Sequence, residues 1–200
     1  MARSKAEEVL ELIGRMGVVR PRDLAAHGIR RDRLAPLVRR GLIDRVGRGL
    51  YMLANADVTE HHSLAEASKR VPNGVVCLLS ALSYHEIGTQ NPFQVWMAVS
   101  RTARAPRADA DAIRILRFSG PALEYGVEEH EIEGVPVRIY SPAKTVADCF
   151  KYRNKTGLDV ALEALRECRR QRKATMDDLW RAAQVCRVSR VMRPYLESLV

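Results

Sequence analysis

Residues 19–53 have the sequence VRPRDLAAHGIRRDRLAPLVRRGLIDRVGRGLYML, which predicts two short helices joined by a tight turn. Gly28 is expected to end the first helix. The second helix is expected to present Leu34, Leu37 and Val38 on one side, with the i, i+3, i+4 spacing of an amphipathic helix. Gly41 follows in the position where glycine commonly ends a helix. The pattern therefore predicts a helix-turn-helix.

Two short strands are predicted after the second helix. Residues 42–46 and 50–53 are rich in apolar side chains, and the sequence Gly-Arg-Gly at 47–49 is a turn signal. Residues 4–16 have the pattern of an amphipathic helix that packs behind the other two. Three helices followed by a hairpin predict a winged helix-turn-helix, whose second helix normally enters the major groove of DNA. We expect this domain to cover residues 1–56.

Cations are concentrated in this segment, where residues 1–53 contain 12 Arg and Lys against 6 Asp and Glu. Phosphate contacts supply much of the free energy of DNA binding, and arginine makes the commonest specific contact with guanine. We therefore predict that the segment binds double-stranded DNA. The alternative is an arginine-rich face that contacts only solvent. The predicted DNA-binding residues are Arg20, Arg22, Arg30, Arg31, Arg33, Arg39, Arg40 and Arg48.

Pro36 constrains where the second helix begins. A proline inside a helix costs about 3 kcal/mol, because it removes a donor and crowds the preceding turn. If Asp32 caps the helix, Pro36 falls in the first turn, where proline is tolerated. The sequence therefore predicts a regular helix that begins at Arg33.

The whole chain has 200 residues and a net charge of +9, which favours an anionic partner. No apolar run approaches the roughly 20 residues that span a bilayer. The first residues lack the apolar core of a signal peptide. We expect a cytoplasmic protein that does not enter membranes.

The second domain, predicted over residues 57–200, has strand patterns first and helical patterns last. Strands are predicted over 94–100, 113–118, 127–132 and 135–140, and the chain is helical and basic from residue 141. The predicted fold class is α+β: a winged helix-turn-helix followed by a mixed α/β domain with a helical C-terminal part. A basic group around 166–173 is either a second surface for an anionic partner or a solvated helix face.

Catalytic chemistry is not indicated. The four cysteines contain no C-x-x-C pair, so we expect reduced core residues and neither metal nor disulfide. His85 beside Glu86 is expected to be a structural histidine. Glu129, Glu131 and Glu133 alternate along a strand, but no E-x-K nuclease pattern follows, and charges commonly protect a sheet edge. We expect no catalytic residue, metal or cofactor, and a protein that is not an enzyme.

Two blocks of sequence together resemble a known family. Residues 19–53 are followed, about ninety residues later, by YSPAKTVADCFKYRNKTGLDVALEALRE at 140–167. In this order they resemble the AbiEi-type antitoxins of type IV toxin–antitoxin systems. The resemblance covers nearly the whole chain, and the second block is its more specific part.

The resemblance implies a DNA-binding repressor that recognises inverted repeats in its own operon. It also implies a C-terminal antitoxin domain that counteracts a nucleotidyltransferase-like toxin without needing a stable complex with it. Carried over by motif, the antitoxin surface would comprise Lys144, Asp148, Lys151, Tyr152, Arg153, Asn154 and Lys155. Two alternatives remain open: a winged-helix regulator whose second domain senses a ligand or mediates dimerisation, and a nucleic-acid-modifying enzyme.

Overall fold

A computed structural model describes residues 4–104 and 111–199. The chain forms two compact units: Met1–Pro72 with Glu131–Val137, and Asn73–His130 with Arg138–Val200. Residues 57–72 lie in the first compact unit, and the domain boundary at residue 56 stays a prediction. Within the described residues, no helix is both long and apolar enough to cross a membrane.

The first unit contains a winged helix-turn-helix, as predicted. The two strands of the hairpin pair antiparallel, and Val19 forms a bridge to Tyr51 with backbone hydrogen bonds of 2.8 and 3.0 Å. The elements are α1 Lys5–Met16, α2 Pro21–Ala25, a 3-10 turn Arg31–Arg33, α3 Leu34–Arg39, β1 Ile43–Gly47, β2 Leu50–Leu53 and α4 His62–Arg70.

A small apolar core holds the helices of the winged unit together. Ser4 and Glu7 cap α1 reciprocally, with a 3.2 Å bond from the Glu7 N–H to Ser4 Oγ. Ile13, Leu24 and Leu34 are fully or almost fully buried between α1, α2 and α3. Each such side chain stabilises the fold by about 1.5–3 kcal/mol.

Helix α3 begins at Leu34, one residue after the predicted start, and Pro36 lies in its first turn as predicted. The prediction that Asp32 caps this helix is wrong. The extended residue before the helical turns is Arg30, so the chain is already helical at Asp32 and no side chain caps α3. Asp32 instead lies 3.4 Å from the Arg30 guanidinium.

The larger sheet comprises β3 Val75–Val76, β4 Val95–Ser100, β5 Ile113–Phe118, β6 Val127–Ile132 and β7 Val135–Tyr140. It is a five-stranded mixed sheet in the order β5-β4-β3-β7-β6, and residues 131–137 of its β6–β7 hairpin belong to the first unit. Strand β4 runs parallel to β5 and antiparallel to β3, and β3 runs parallel to β7. The four long strands lie within one residue of their predicted bounds, which confirms the α+β class.

Helices supply the rest of the second unit, and its C-terminal part is helical as predicted. The core formed by the sheet and these helices includes Phe150, Leu165 and Met192. The helices are α5 Leu78–Tyr84, α6 Pro121–Glu124, α7 Pro142–Lys151, α8 Arg153–Thr156, α9 Leu158–Arg170, α10 Met176–Val185 and α11 Ser189–Glu197.

Helix α7 is covered on all sides, and this overturns part of the predicted antitoxin surface. Every residue from 143 to 150 is buried, including Lys144 and Asp148, whose side chains are 0% exposed. The two form an ion pair inside the core, and the Cys186 thiol donates to Asp148 at 3.3 Å. Burial raises the pKa of Asp148, and the Lys144 ammonium opposes that rise. Lys144 and Asp148 therefore belong to the core and not to a surface.

A carboxylate in the first unit joins segments that are far apart in sequence. The Thr59 N–H and hydroxyl donate to Glu133 Oε1 at 2.7 and 2.8 Å, and His62 Nδ1 lies 2.6 Å from Glu133 Oε2. The backbone at Gly17 also packs tightly against the backbone at Glu133. A Cβ on Gly17 would lie 1.7 Å from the Glu133 carbonyl oxygen. A side chain at position 17 would require the backbone to move.

We expect Glu133→Gln to lower the free energy of unfolding by about 1.5–3 kcal/mol at neutral pH, as a hydrogen-bonded charge is lost. Burial tends to raise the pKa of Glu133, but hydrogen bonds from His62 and Thr59 outweigh it and lower the pKa. The stabilisation is therefore present above the unfolded-state pKa and is lost as pH falls through the lowered folded-state pKa.

This effect is measured by urea unfolding of the wild type and of Glu133→Gln. Glu131→Gln is the control, because Glu131 is exposed. The wild type and Glu133→Gln should differ at neutral pH and converge in acid, as pH falls through the lowered folded-state pKa of Glu133. A difference that persists in acid would contradict the role of the charge.

Candidate nucleic-acid interface

The second helix of the helix-turn-helix is anchored by its apolar side and exposes its cations. Leu34 and Leu37 are buried against the core of the winged unit, whereas Val38, predicted on the same face, is 37% exposed. Arg39 lies nearly opposite Leu37, because an α-helix turns 100° per residue. Arg39 is accordingly exposed to solvent.

Six of the eight predicted DNA-binding arginines are exposed and form no ion pair with any residue of the described part of the chain. Arg30 is also exposed, with 83% of its side chain accessible, and its 3.4 Å contact with Asp32 is a surface pair. Such pairs contribute at most about 1 kcal/mol, so Arg30 can exchange Asp32 for a phosphate. The six are Arg22, Arg31, Arg33, Arg39, Arg40 and Arg48.

Arg20 is held inside the unit and does not join this group. Its side chain is 21% exposed, lies 2.7 Å from Asp23 and donates to the Lys69 carbonyl at 2.6 Å. Burial tends to raise the pKa of Asp23, but the hydrogen bonds and charge of Arg20 outweigh it and lower the pKa. Arg20 fastens α2 to the end of α4, so the structure gives it a structural role instead of the predicted contact with DNA.

The hairpin carries two exposed arginines: Arg48, which is among the predicted DNA-binding residues, and Arg45, which is not. Arg48 lies exposed in the turn between β1 and β2, and Gly49 beside it has a φ of +73°. Arg45 is also exposed, and its Nε donates to the Gly47 carbonyl at 3.3 Å. Its position three residues before Arg48 on the same hairpin is the signal that could have identified it.

Three of the arginines line one concavity. Arg30, Arg33 and Arg40 border a groove of about 400 Å³ between the start of α1 and α3. Lys5 lines the opposite side of the same groove. Arg31, Arg39 and Arg48 do not line it, so the predicted arginines fall into two groups within the first unit.

The predicted antitoxin surface is reduced to the last residue of α7 and two residues of α8. Lys151, Asn154 and Lys155 are exposed. Tyr152 is half-buried, with its ring stacked on Phe118 at a centroid distance of 5.3 Å.

Arg153 is also half-buried, and its guanidinium donates to the Phe150 carbonyl at 2.9 Å. The structure therefore leaves three of the seven predicted surface residues exposed.

The basic group around 166–173 is largely tied to the backbone or to acids. Arg169 donates to the Ala174 carbonyl, Lys173 donates to the His85 carbonyl, and Arg170 pairs with Glu167. Arg166 and Arg172 are exposed and form no ion pair within the described residues. Residues 166–173 do not lie on one helix face, because α9 ends at Arg170.

The remaining candidates for chemistry have structural positions. His85 is buried, with Nε2 2.7 Å from the Tyr140 carbonyl oxygen, and burial lowers its pKa. The four cysteines are buried and unpaired, as predicted. Among residues 4–104 and 111–199, no group of three His, Cys, Asp or Glu could hold a metal ion.

Comparisons with known proteins found a solved structure with a similar fold and a family model that matches the N-terminal segment. The crystal structure of RV2827C protein from Mycobacterium tuberculosis aligns with a TM-score of 0.54 at 15% sequence identity, over 90% of this chain and 71% of that chain. At this identity the likeness concerns the fold alone. No curated protein matches the chain. A family model described as a transcriptional regulator, AbiEi antitoxin, matches residues 7–54 and confirms the predicted family resemblance over that segment.

Proposed function

We propose that this protein is a DNA-binding antitoxin of a type IV toxin–antitoxin system. Its winged unit would repress its own operon by binding inverted repeats in double-stranded DNA, and its C-terminal half would counteract a nucleotidyltransferase-like toxin in the cytoplasm. One observation carries the proposal: within the described residues, six exposed arginines form no ion pair and lie on the segment that matches the AbiEi regulator model, on or beside α2, the 3-10 turn, α3 and the hairpin. The proposal assigns no catalytic step to the chain.

The arrangement suits two kinds of DNA contact. The exposed side of α3, with Arg39 at its C-terminal end, would enter the major groove, where arginine can form two bonds to guanine. Arg48 and Arg45 on the hairpin would contact phosphates, which position the protein without selecting sequence. These contacts would release counterions, so affinity should fall steeply as salt increases.

Titration of labelled DNA from upstream of the gene tests the repressor half of the proposal. We expect binding to this DNA to be tighter than binding to a scrambled duplex of the same length at each salt concentration. Affinities that are equal for both duplexes throughout the salt series would overturn operator recognition.

The antitoxin half rests on the resemblance of residues 140–167 and on the exposed segment that contains Lys151, Asn154 and Lys155. We expect co-expression of the protein to restore growth of cells that express the nucleotidyltransferase-like toxin encoded beside its gene. Lys151→Ala with Lys155→Ala should reduce this rescue and leave repression of the operon intact, because the charges that it removes lie outside the winged unit.

Arg172→Ala with Arg190→Ala is the matched control, since it removes two exposed charges from the same half of the chain. The control should rescue growth like the wild type. Failure of the wild type to rescue growth while it still represses would overturn the antitoxin half, and would favour a winged-helix regulator whose second domain senses a ligand or mediates dimerisation.

A further inference from the structure

The groove between the start of α1 and α3 concentrates positive charge. Lys5, Arg30, Arg33 and Arg40 all line it, together with His27. Among the described residues that line the groove, Glu8 is the one carboxylate. Lys5, Arg33 and Arg40 form no ion pair within the part of the chain that the structure describes. Cations that face one concavity without partners repel each other, and a bound anion removes that repulsion.

The floor of the groove is apolar. Val9 and Leu37 are buried side chains of the core, and Ile29 is partly buried beside them. A cavity of about 400 Å³ falls within the size range of small-molecule sites, which combine apolar walls with a few polar groups. A ligand that fits both features has an apolar or aromatic body and a strongly anionic end.

We propose that this groove binds a phosphorylated small molecule of the nucleotide class. The guanidinium groups suit phosphate oxygens, because their planar donors can form two parallel bonds to them. Guanidinium planes also stack on nucleobases. The base would lie over Val9, Ile29 and Leu37, while Lys5 and the three arginines hold the phosphates.

Occupation of the groove has a regulatory consequence, which rests on the proposed function. Arg30, Arg33 and Arg40 are also proposed contacts to operator DNA, and a guanidinium that holds a ligand phosphate is not free to bind the DNA backbone. Ligand and operator would therefore compete for the winged unit. Binding of the ligand itself depends only on the groove.

Calorimetric titration of the full chain with ATP tests the site, with inorganic pyrophosphate and adenosine as partial probes. We expect ATP to bind more tightly than either probe, because only ATP has both the anionic end and the apolar body. Equal affinities for ATP and pyrophosphate would mean that the groove is only a site for anions, and would overturn the assignment to nucleotides.

Lys5→Gln should weaken ATP binding about 10-fold, the effect of losing one hydrogen bond to a charged group. Arg15→Gln is the matched control, because Arg15 is an exposed cation near the other end of α1 and does not line the groove. It should bind ATP like the wild type. Equal weakening in both variants, no weakening in Lys5→Gln, or no ATP binding at all would overturn the site.

Displacement of labelled operator DNA by ATP tests the competition separately. We expect half-displacement at ATP concentrations close to the calorimetric dissociation constant when DNA is dilute. Operator that stays bound while ATP fills the groove would refute competition and leave DNA binding intact. Loss of operator recognition with ATP binding preserved would instead count against the proposed function alone.

Discussion

Asp148→Ala is expected to lower the free energy of unfolding by about 3–5 kcal/mol, because it leaves the buried Lys144 ammonium without its carboxylate. Both side chains are fully buried in α7. The ammonium also lies 4.0 Å from the centroid of the Tyr140 ring, which compensates only part of the loss of a full negative charge. The Cys186 thiol would lose its acceptor as well.

Urea unfolding followed by circular dichroism measures the effect, and two further variants identify its cause. Lys151→Met, at an exposed position of the same helix, should change stability by less than about 0.5 kcal/mol. Lys144→Met combined with Asp148→Ala should recover most of the loss, because Met is close to Lys in volume and an apolar pair needs no counter-charge. A double variant as unstable as Asp148→Ala would show that shape, and not uncompensated charge, is responsible.

The combined variant Arg31→Gln, Arg39→Gln and Arg48→Gln is expected to weaken operator binding by about 100-fold, since each lost arginine contact costs at least about 1 kcal/mol. The slope of affinity against salt should also become shallower by about one for each phosphate contact removed. These three arginines do not line the groove beside α1, so the result is independent of nucleotide binding.

Anisotropy titrations with labelled operator DNA at several salt concentrations provide both quantities. The control variant Arg172→Gln, Arg187→Gln and Arg190→Gln removes the same net charge from exposed positions of the C-terminal half. It should bind operator nearly like the wild type. Equal losses in the two triple variants would show that net charge, and not the winged unit, determines affinity.

Local patterns were sufficient to predict the winged helix-turn-helix and the four long strands. Glycine positions, apolar spacing and alternation act over a few residues, and the structure follows them. Strand β3 was missed because its two residues, Val75 and Val76, are too few to show alternation. The cap of α3 was assigned wrongly because the 3-10 turn depends on backbone angles that residue types do not specify.

The errors in the site have one physical origin, which is contact between distant segments. The spacing of Lys144 and Asp148 is that of a solvated helix stripe, and only the packing of neighbouring helices shows that this side is covered. Arg20 was grouped with the DNA-binding arginines because its acceptor, the Lys69 carbonyl, lies 49 positions away. The groove beside α1 was missed for the same reason, since Lys5 and Arg33 meet only in the folded chain.

Helix α3 has six residues, so its axis is about 9 Å long at 1.5 Å per residue. Base pairs are stacked about 3.4 Å apart, and this helix can therefore inspect roughly three of them. A triplet recurs by chance far too often to mark one promoter in a bacterial genome, where competing sites number about a million or more. Recognition of a single promoter would thus require at least two copies of the chain on adjacent half-sites, because the chance frequencies of separate half-sites multiply and a fixed spacing and orientation lowers the combined frequency further.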